Sequence, residues 1–276
     1  MMRQSSRRKA LVYVLLIMVV ACFLLPIFWT LLLSIRPAST NLGWPPALIF
    51  GPTADHLRYC FVSPGVSTRY LWNSFVISFL ATLLSMPFAI PAAYAFARYT
   101  FKGKRGLLFW FLGLYMGPPL VFLLPYVILM SKLQLVGTYF SMIIVFQSFT
   151  IPFSILVMKS FIQDIPVELE ESAMVDGASR LYAAFKIIMP LALPGIIVSA
   201  MFAFVFSWNN AAFPLVLSKQ MTKPLPIGTL NFFATTGINW NWIAATSVVT
   251  MLPPMLLFLS LEKYLVRGLT FGAVKG

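Results

Sequence analysis

Polar chemistry in this chain is concentrated in one place. Five of its seven acidic residues, Asp164, Glu168, Glu170, Glu171 and Asp176, stand in the segment 159–186, KSFIQDIPVELEESAMVDGASRLYAAFK. Asp164 and Pro166 are expected to open a helix there, and the glutamates crowd its first turns, where the helix dipole favours negative charge. Val167, Leu169, Ala173 and Met174 put apolar surface between the acids. Asp176-Gly177 is expected to end the helix, since glycine takes the left-handed conformation at a helix C-terminus without penalty. Ser179 is placed to cap a second short helix carrying Leu181, Tyr182 and Phe185. Ile187 and Pro190 then begin another apolar run. The expected product is a helix–turn–helix knob with an acidic, partly apolar surface. A capped linker with no partner would obey the same helix rules, so this pattern alone leaves both readings open.

Other chemistries lack their residues. His56 is the single histidine, and Cys22 and Cys60 form neither a disulfide framework nor a paired metal motif. The chain has no GxxxxGK[ST] loop for nucleotide phosphates. An enzyme would need a nucleophile with a base, or a metal cluster, and the apolar runs supply no His, Asp or Glu. The net charge of +13 does not indicate nucleic acid, because the basic residues lie between long apolar runs and not on one face.

The elements that carry the acidic segment follow from composition. Hydrophobic residues make up 60% of the chain and charged residues 10%, against roughly 25% charged in soluble domains. Stretches free of charge at 10–35, 70–97, 106–131, 139–158, 187–217 and 242–261 are each about the 20 residues or more that a helix needs to cross hydrocarbon. Without strand-length alternation these are helices, not barrel strands. The segment 224–241 is excluded from the last span by Pro224, Pro226, Gly228, Gly237 and its asparagines. The first apolar run is longer than a signal sequence core and is expected to be a retained helix. Lysine and arginine set the orientation. With the N-terminus inside, fourteen basic residues fall on inner segments and six on outer ones, the densest group being Arg98, Lys102, Lys104 and Arg105. The expected fold is all-α: a polytopic membrane protein of six transmembrane helices in one domain, 1–276, with both termini cytoplasmic. No Asp, Glu, Lys, Arg or His falls within the spans, which argues against coupling to an ion gradient. A transporter without that device or a phosphate loop takes its energy from another polypeptide.

Residues 171–190 resemble the EAA loop of binding-protein-dependent ABC importer permeases: Glu-Ala-Ala, three residues, Gly, nine residues, Ile-x-Leu-Pro. Here these are Glu171-Ser172-Ala173, Gly177 and Ile187-Ile188-Met189-Pro190, departing at Ser172 and Met189. The segments 124–144, 207–215 (SWNN followed by PL) and 267–276 (RGLTFGAVKG) look like the maltose-type carbohydrate permeases, so that roughly 70–276 resembles that group. The resemblance implies a transport subunit of a bacterial inner membrane forming half of a pathway for a sugar or sugar derivative. It implies a second related permease, two cytoplasmic ATPase subunits that hold ATP and Mg, and a periplasmic or lipid-anchored solute-binding protein. This chain itself would carry no cofactor and catalyse nothing. Glu171, Ala173, Asp176, Gly177, Ile187 and Pro190 would then couple to the ATPase, whose cleft receives the loop. The competing class is an ion-coupled secondary transporter.

A sugar pathway needs aromatic faces and hydrogen-bonding groups. Phe204, Trp208, Asn209 and Asn210 cluster late in the fifth span, with Ala211 expected on the face of Trp208, and Gln147, Ser148 and Thr150 form a second group. Helix packing with asparagine as interhelical glue competes with ligand contact; it stands ahead for Asn209 and the Gln147 group and level for Asn210. Pro87, Pro91, Pro118, Pro119 and Pro125 are expected to break or kink their helices. Asn239, Trp240 and Asn241 could meet the binding protein, with an interfacial aromatic belt as the equal alternative. The outer segments carry Asp55 as their one acid, which would suit an acidic binding protein or an anionic sugar derivative.

Overall fold

The computed structural model of the chain describes residues 6–37, 49–62, 68–234 and 237–271. Most of these are helical. The strand content is one antiparallel pair of two-residue strands, Phe233–Ala234 with Gly237–Ile238. Four helices are long and apolar enough to cross a membrane, or up to six if each of two bent pairs counts as one span. The chain divides into two compact units, residues 1–68 with 228–252, and 69–227 with 253–276.

The first unit holds α1 (Ser6–Ile35), α2 (Asp55–Val62) and the start of the last helix, α13 (Trp240–Phe271). From Leu11 to Phe28, α1 exposes its side chains to the surroundings. Its C-terminal end is fastened. The Asn241 side-chain amide donates to the carbonyls of Leu33 at 3.1 Å and Arg36 at 2.6 Å. His56 Nε2 lies 3.0 Å from the same Arg36 carbonyl; a carbonyl only accepts, so this nitrogen carries the proton. Tyr59 stacks on Trp242 at 4.4 Å. Cys60 sits in α2 and is buried beside Thr246, where burial pushes its thiol pKa up. Asn241 is buried and committed to α1, so it offers no outward surface to a binding protein.

The second unit is built around α6 (Tyr139–Gln163). Thr138 caps this helix by accepting from the Ser141 amide. One apolar cluster joins α6 to α3 (Thr68–Arg98) and α5 (Pro119–Lys132) through Ile77, Ala81, Met130, Phe146 and Phe149. A second joins Ala89, Ala93 and Phe96 of α3 to Ile155, Met158 and Ile162 of α6 and to Ile188 and Met189.

Two expected spans are broken. Residues 106–131 form α4 (Lys104–Met116) and α5, bent by 95°. Gly117 closes α4 by donating to Gly113, then turns extended at φ −65°, ψ 133°, because a residue before proline avoids the helical region. Pro119 starts α5, where a missing amide costs nothing. Residues 187–217 divide further. Arg180–Ala183 is α8, Ala184–Ile188 a π-helical turn and Met189–Leu191 the short α9. A 72° bend separates these from α10 (Leu193–Asn209). Pro190 has no amide for the carbonyl four residues back, which loosens the helix there. At Asn210 the backbone is extended, its Oδ1 accepts from the Phe213 amide, and α11 (Ala212–Leu217) starts afresh. Ala211 therefore does not share the face of Trp208. By contrast α3 continues through Pro87 and Pro91, and α13 through Pro253 and Pro254. The unfavourable stretch before α13 holds only short pieces, α12 (Leu225–Gly228), a 3-10 turn (Thr229–Phe232) and the small hairpin. Residues 272–276 of the tail lie outside the described residues.

Gly195 sets how closely α10 approaches α6. A Cβ at this position would stand 2.5 Å from Cγ of Phe161. Gly195→Ala should cost about 1–3 kcal/mol by overpacking, read as a lowered melting temperature of the detergent-solubilised chain. Phe161→Ala in the same chain should recover part of that loss, and additive losses would mean the contact is not the cause.

Candidate functional site

The acidic knob follows α6. Asp164 does not open its helix; its amide bonds to the Ser160 carbonyl and it ends α6. The amides of Glu170 and Glu171 bond to Val167, so the knob helix α7 (Glu168–Val175) opens there, past Pro166. Glu168, Glu170 and Glu171 occupy its first turn as expected. Ser172, where the family pattern has alanine, donates to the Glu168 carbonyl at 2.7 Å, so its hydroxyl is satisfied within the helix.

The C-terminus of α7 is a Schellman motif. Ala178 N–H donates to the Ala173 carbonyl at 2.9 Å and Gly177 N–H to the Met174 carbonyl at 3.1 Å. Gly177 has φ 90° and nothing within 4 Å of the position a Cβ would take. Ser179 accepts from the Tyr182 amide at 3.2 Å and caps α8.

Glu171, Asp176 and Gly177 face outward, Ala173 is half-buried and Pro190 is exposed. Ile187 packs against the second apolar cluster. Around the acids stand Val175 at 86% exposure, Leu181 at 71%, Tyr182 and Phe185. On this face exposed apolar side chains stand beside carboxylates.

Glu170, which the sequence reading did not single out, turns the other way. It forms a salt bridge with Arg98 Nε, with side-chain exposures of 9% and 8%. Tyr94 Oη donates to its second carboxylate oxygen at 2.8 Å. Arg98 Nη2 donates to the Ile165 carbonyl at 2.9 Å, in the link between α6 and α7. The knob is thus bonded to the last turns of α3 as well as to its own neighbours in sequence. Neighbours on a helix point about 100° apart, which lets Glu170 face the bundle while Glu171 faces out, but the sequence does not say which of the two turns inward.

The expected pathway residues do not gather in one polar cavity. Trp208 and Phe204 stack at 5.6 Å and are both buried. Phe204 borders an apolar cavity of about 350 Å³ with Phe79, Met86 and Leu257. Asn209 is exposed, and Asn210 Oδ1 accepts from the Phe213 amide at 3.3 Å. Gln147 donates to Ile143 at 2.9 Å and to Ala81 at 3.1 Å, tying α6 to α3. Ser148 accepts from Tyr126, and Thr150 bonds back to Phe146. Asn239 and Trp240 are exposed at the start of α13.

A further polar centre was missed. Asn73 is fully buried at the N-terminal end of α3. Its amide donates to the carbonyls of Met221 at 3.0 Å and Lys223 at 2.8 Å, and it accepts from Tyr139 Oη at 2.6 Å. Ser74 accepts from the Leu225 amide at 2.7 Å. Together they hold the segment 221–225 against α3.

The chain thus combines broken apolar spans with a capped acidic knob whose outward face is partly apolar. Residues 85–271 match the family described as "Binding-protein-dependent transport system inner membrane component", and the chain belongs to it. Its relatives include permease proteins named for sugar uptake. It is 32% identical over 256 residues to the diacetylchitobiose uptake system permease protein DasC of Streptomyces coelicolor, covering 91% of each chain. It is 31% identical over 279 residues to the trehalose/maltose transport system permease protein MalG of Thermococcus litoralis, covering 100% of each. Its fold matches a chain of a bacterial ABC transporter involved in the import of the acidic polysaccharide alginate, with TM-score 0.76, 21% identity and coverage of 96% of this chain and 99% of that one.

The cap at Gly177 can be separated from any docking role. Gly177→Ala should cost about 1–2 kcal/mol through its left-handed backbone, whereas Gly177→Asn should cost less. Faster amide exchange at Ala178 in the alanine variant, and a smaller change in the asparagine one, is the expected result.

Proposed function

We propose that the chain forms half of a membrane pathway for an oligosaccharide or sugar derivative and takes its energy from ATPase subunits that dock on the acidic knob. The observation that carries this reading is the outward surface of 167–186: Glu171, Asp176 and Gly177 beside uncovered Val175, Leu181, Tyr182 and Phe185. A cleft with a basic group and an apolar floor would match it. ATP and Mg belong to those subunits, two in number. The other half of the pathway is a second, related permease. A solute-binding protein delivers the sugar and meets the outward Asn239 and Trp240. The sugar class is supported by relatives named for diacetylchitobiose, arabinooligosaccharides and trehalose/maltose. The segments read as inner carry fourteen of the twenty basic residues, which supports a cytoplasmic knob and cytoplasmic termini in a bacterial inner membrane.

Reconstitution in proteoliposomes with the partner subunits tests the reading. Sugar uptake should require ATP and the binding protein and should survive an ionophore that collapses ion gradients; uptake driven by a gradient without ATP would overturn it. Glu171→Lys reverses a charge on the docking surface. The variant should insert normally but retain less than about a tenth of the co-purified ATPase, a loss of 1.4 kcal/mol or more in docking. A cysteine at position 230 should react with an impermeant maleimide from outside intact cells; reaction from inside alone would reverse the orientation.

A further inference from the structure

We propose that Glu170, Arg98 and Tyr94 form a latch that makes α3 a strut, carrying movement of the knob to the segment 221–225 at the far end of the helix. The proposal rests on the docking role given to the knob above. Glu170 is then a positioning residue for coupling, distinct from Glu171, which faces the ATPase.

The geometry has three parts. First, α7 has two routes into the transmembrane body through the chain itself, back to α6 and forward to α10. The forward route passes through a π-helical turn and a 72° bend at Ala192. The backward route passes through the non-helical link at Ile165-Pro166. Neither is a continuous helix, so neither transmits a push as a rigid body. Second, the latch bypasses both. Both carboxylate oxygens of Glu170 are taken, one by Arg98 and one by Tyr94, and the remaining arm of Arg98 holds the Ile165 carbonyl. Arg98 and Tyr94 are four residues apart on α3 and so lie on one face. The guanidinium therefore grips the knob helix and the link before it at once. A salt bridge with both side chains less than a tenth exposed keeps its strength where an exposed one would be screened.

Third, α3 has a matching grip at its other end. It runs unbroken from Thr68 to Arg98, about 46 Å at 1.5 Å per residue. Near its start Asn73 holds the carbonyls of Met221 and Lys223, and Ser74 holds the Leu225 amide. In the orientation given above, that segment lies on the side where the binding protein works. One helix thus has polar grips on the knob and on the opposite loop, with apolar packing against α6 between them.

The test uses the assembled importer in proteoliposomes. Glu170→Ala and Arg98→Ala should keep the ATPase bound at the wild-type ratio and keep hydrolysing ATP. Sugar moved per ATP should fall at least tenfold, and the stimulation of hydrolysis by loaded binding protein should be lost. The double variant should be no worse than either single one, since both remove the same contact. Arg98→Lys keeps the charge and should recover coupling to within a few-fold of wild type, a response that loss of packing alone would not produce. Wild-type transport per ATP in the single variants would overturn the latch. So would loss of the bound ATPase in them, because the pair would then only shape the docking surface. Failure of the unaltered chain to hold an ATPase would instead remove the functional reading, and the latch with it.

Discussion

A helix that ends leaves its last four carbonyls without amide partners, and in a chain this apolar each open carbonyl must find a donor or remain unsatisfied at a cost of several kcal/mol. The tertiary structure is organised around that requirement. Asn241 reaches Leu33 and Arg36 at the end of α1, and His56 adds a second donor to Arg36. Asn73 reaches Met221 and Lys223, in a stretch with little helix to absorb its carbonyls. Arg98 reaches Ile165 in the gap between α6 and α7. In each case a side chain from one long helix supplies the donor that a broken backbone lacks. Apolar packing sets how near the helices lie, and these donors set which break faces which helix.

The same requirement decides which proline matters. Pro87 and Pro91 lie within α3, and the helix continues past them. At Gly117-Pro118-Pro119 a glycine precedes two prolines, the backbone turns extended, and the two halves diverge by 95°. Two consecutive residues without amides follow a residue that avoids helical geometry, so the ladder has nothing with which to resume until Pro119 begins a new turn. Near Pro190 the chain takes a π-helical turn, a milder answer to one missing donor.

Much of this was legible beforehand. Long charge-free runs specify helices because lipid allows a spanning backbone few alternatives, and the knob's two caps were readable because Gly177 and Ser179 are residue types tied to particular backbone conformations. The breaks were less legible. Pro118 and Pro119 were expected to break or kink their helix, and the chain bends by 95° there; the end of α10 at Asn210 was not expected, and the span from 187 was drawn through the 72° bend. Asn241 was placed on the surface because it neighbours Asn239 and Trp240, yet at the start of a helix adjacent residues face different ways. Phe204, Trp208 and Gln147 were grouped by residue type as pathway candidates; their contacts are stacking and interhelical bonding within this chain. Asn73 gave no local signal at all, since its partners lie 66 to 150 residues away.

Glu170 and Glu171 show how one helical turn serves two surfaces. A carboxylate facing the bundle is tolerable only with its charge neutralised and its oxygens bonded, and Arg98 with Tyr94 does both. That arrangement removes one negative charge from the knob's effective surface and leaves Glu168, Glu171 and Asp176 to define its outward field. Moving the inward acid by one position would leave Arg98 buried without a counter-charge and add a carboxylate to the outward face. The order of the two glutamates therefore fixes the rotation of α7 about its own axis. With that rotation fixed, the left-handed turn at Gly177 and the uncovered side chains of Leu181 and Phe185 are held in one register with Glu171 and Asp176, and the knob has a single outward surface.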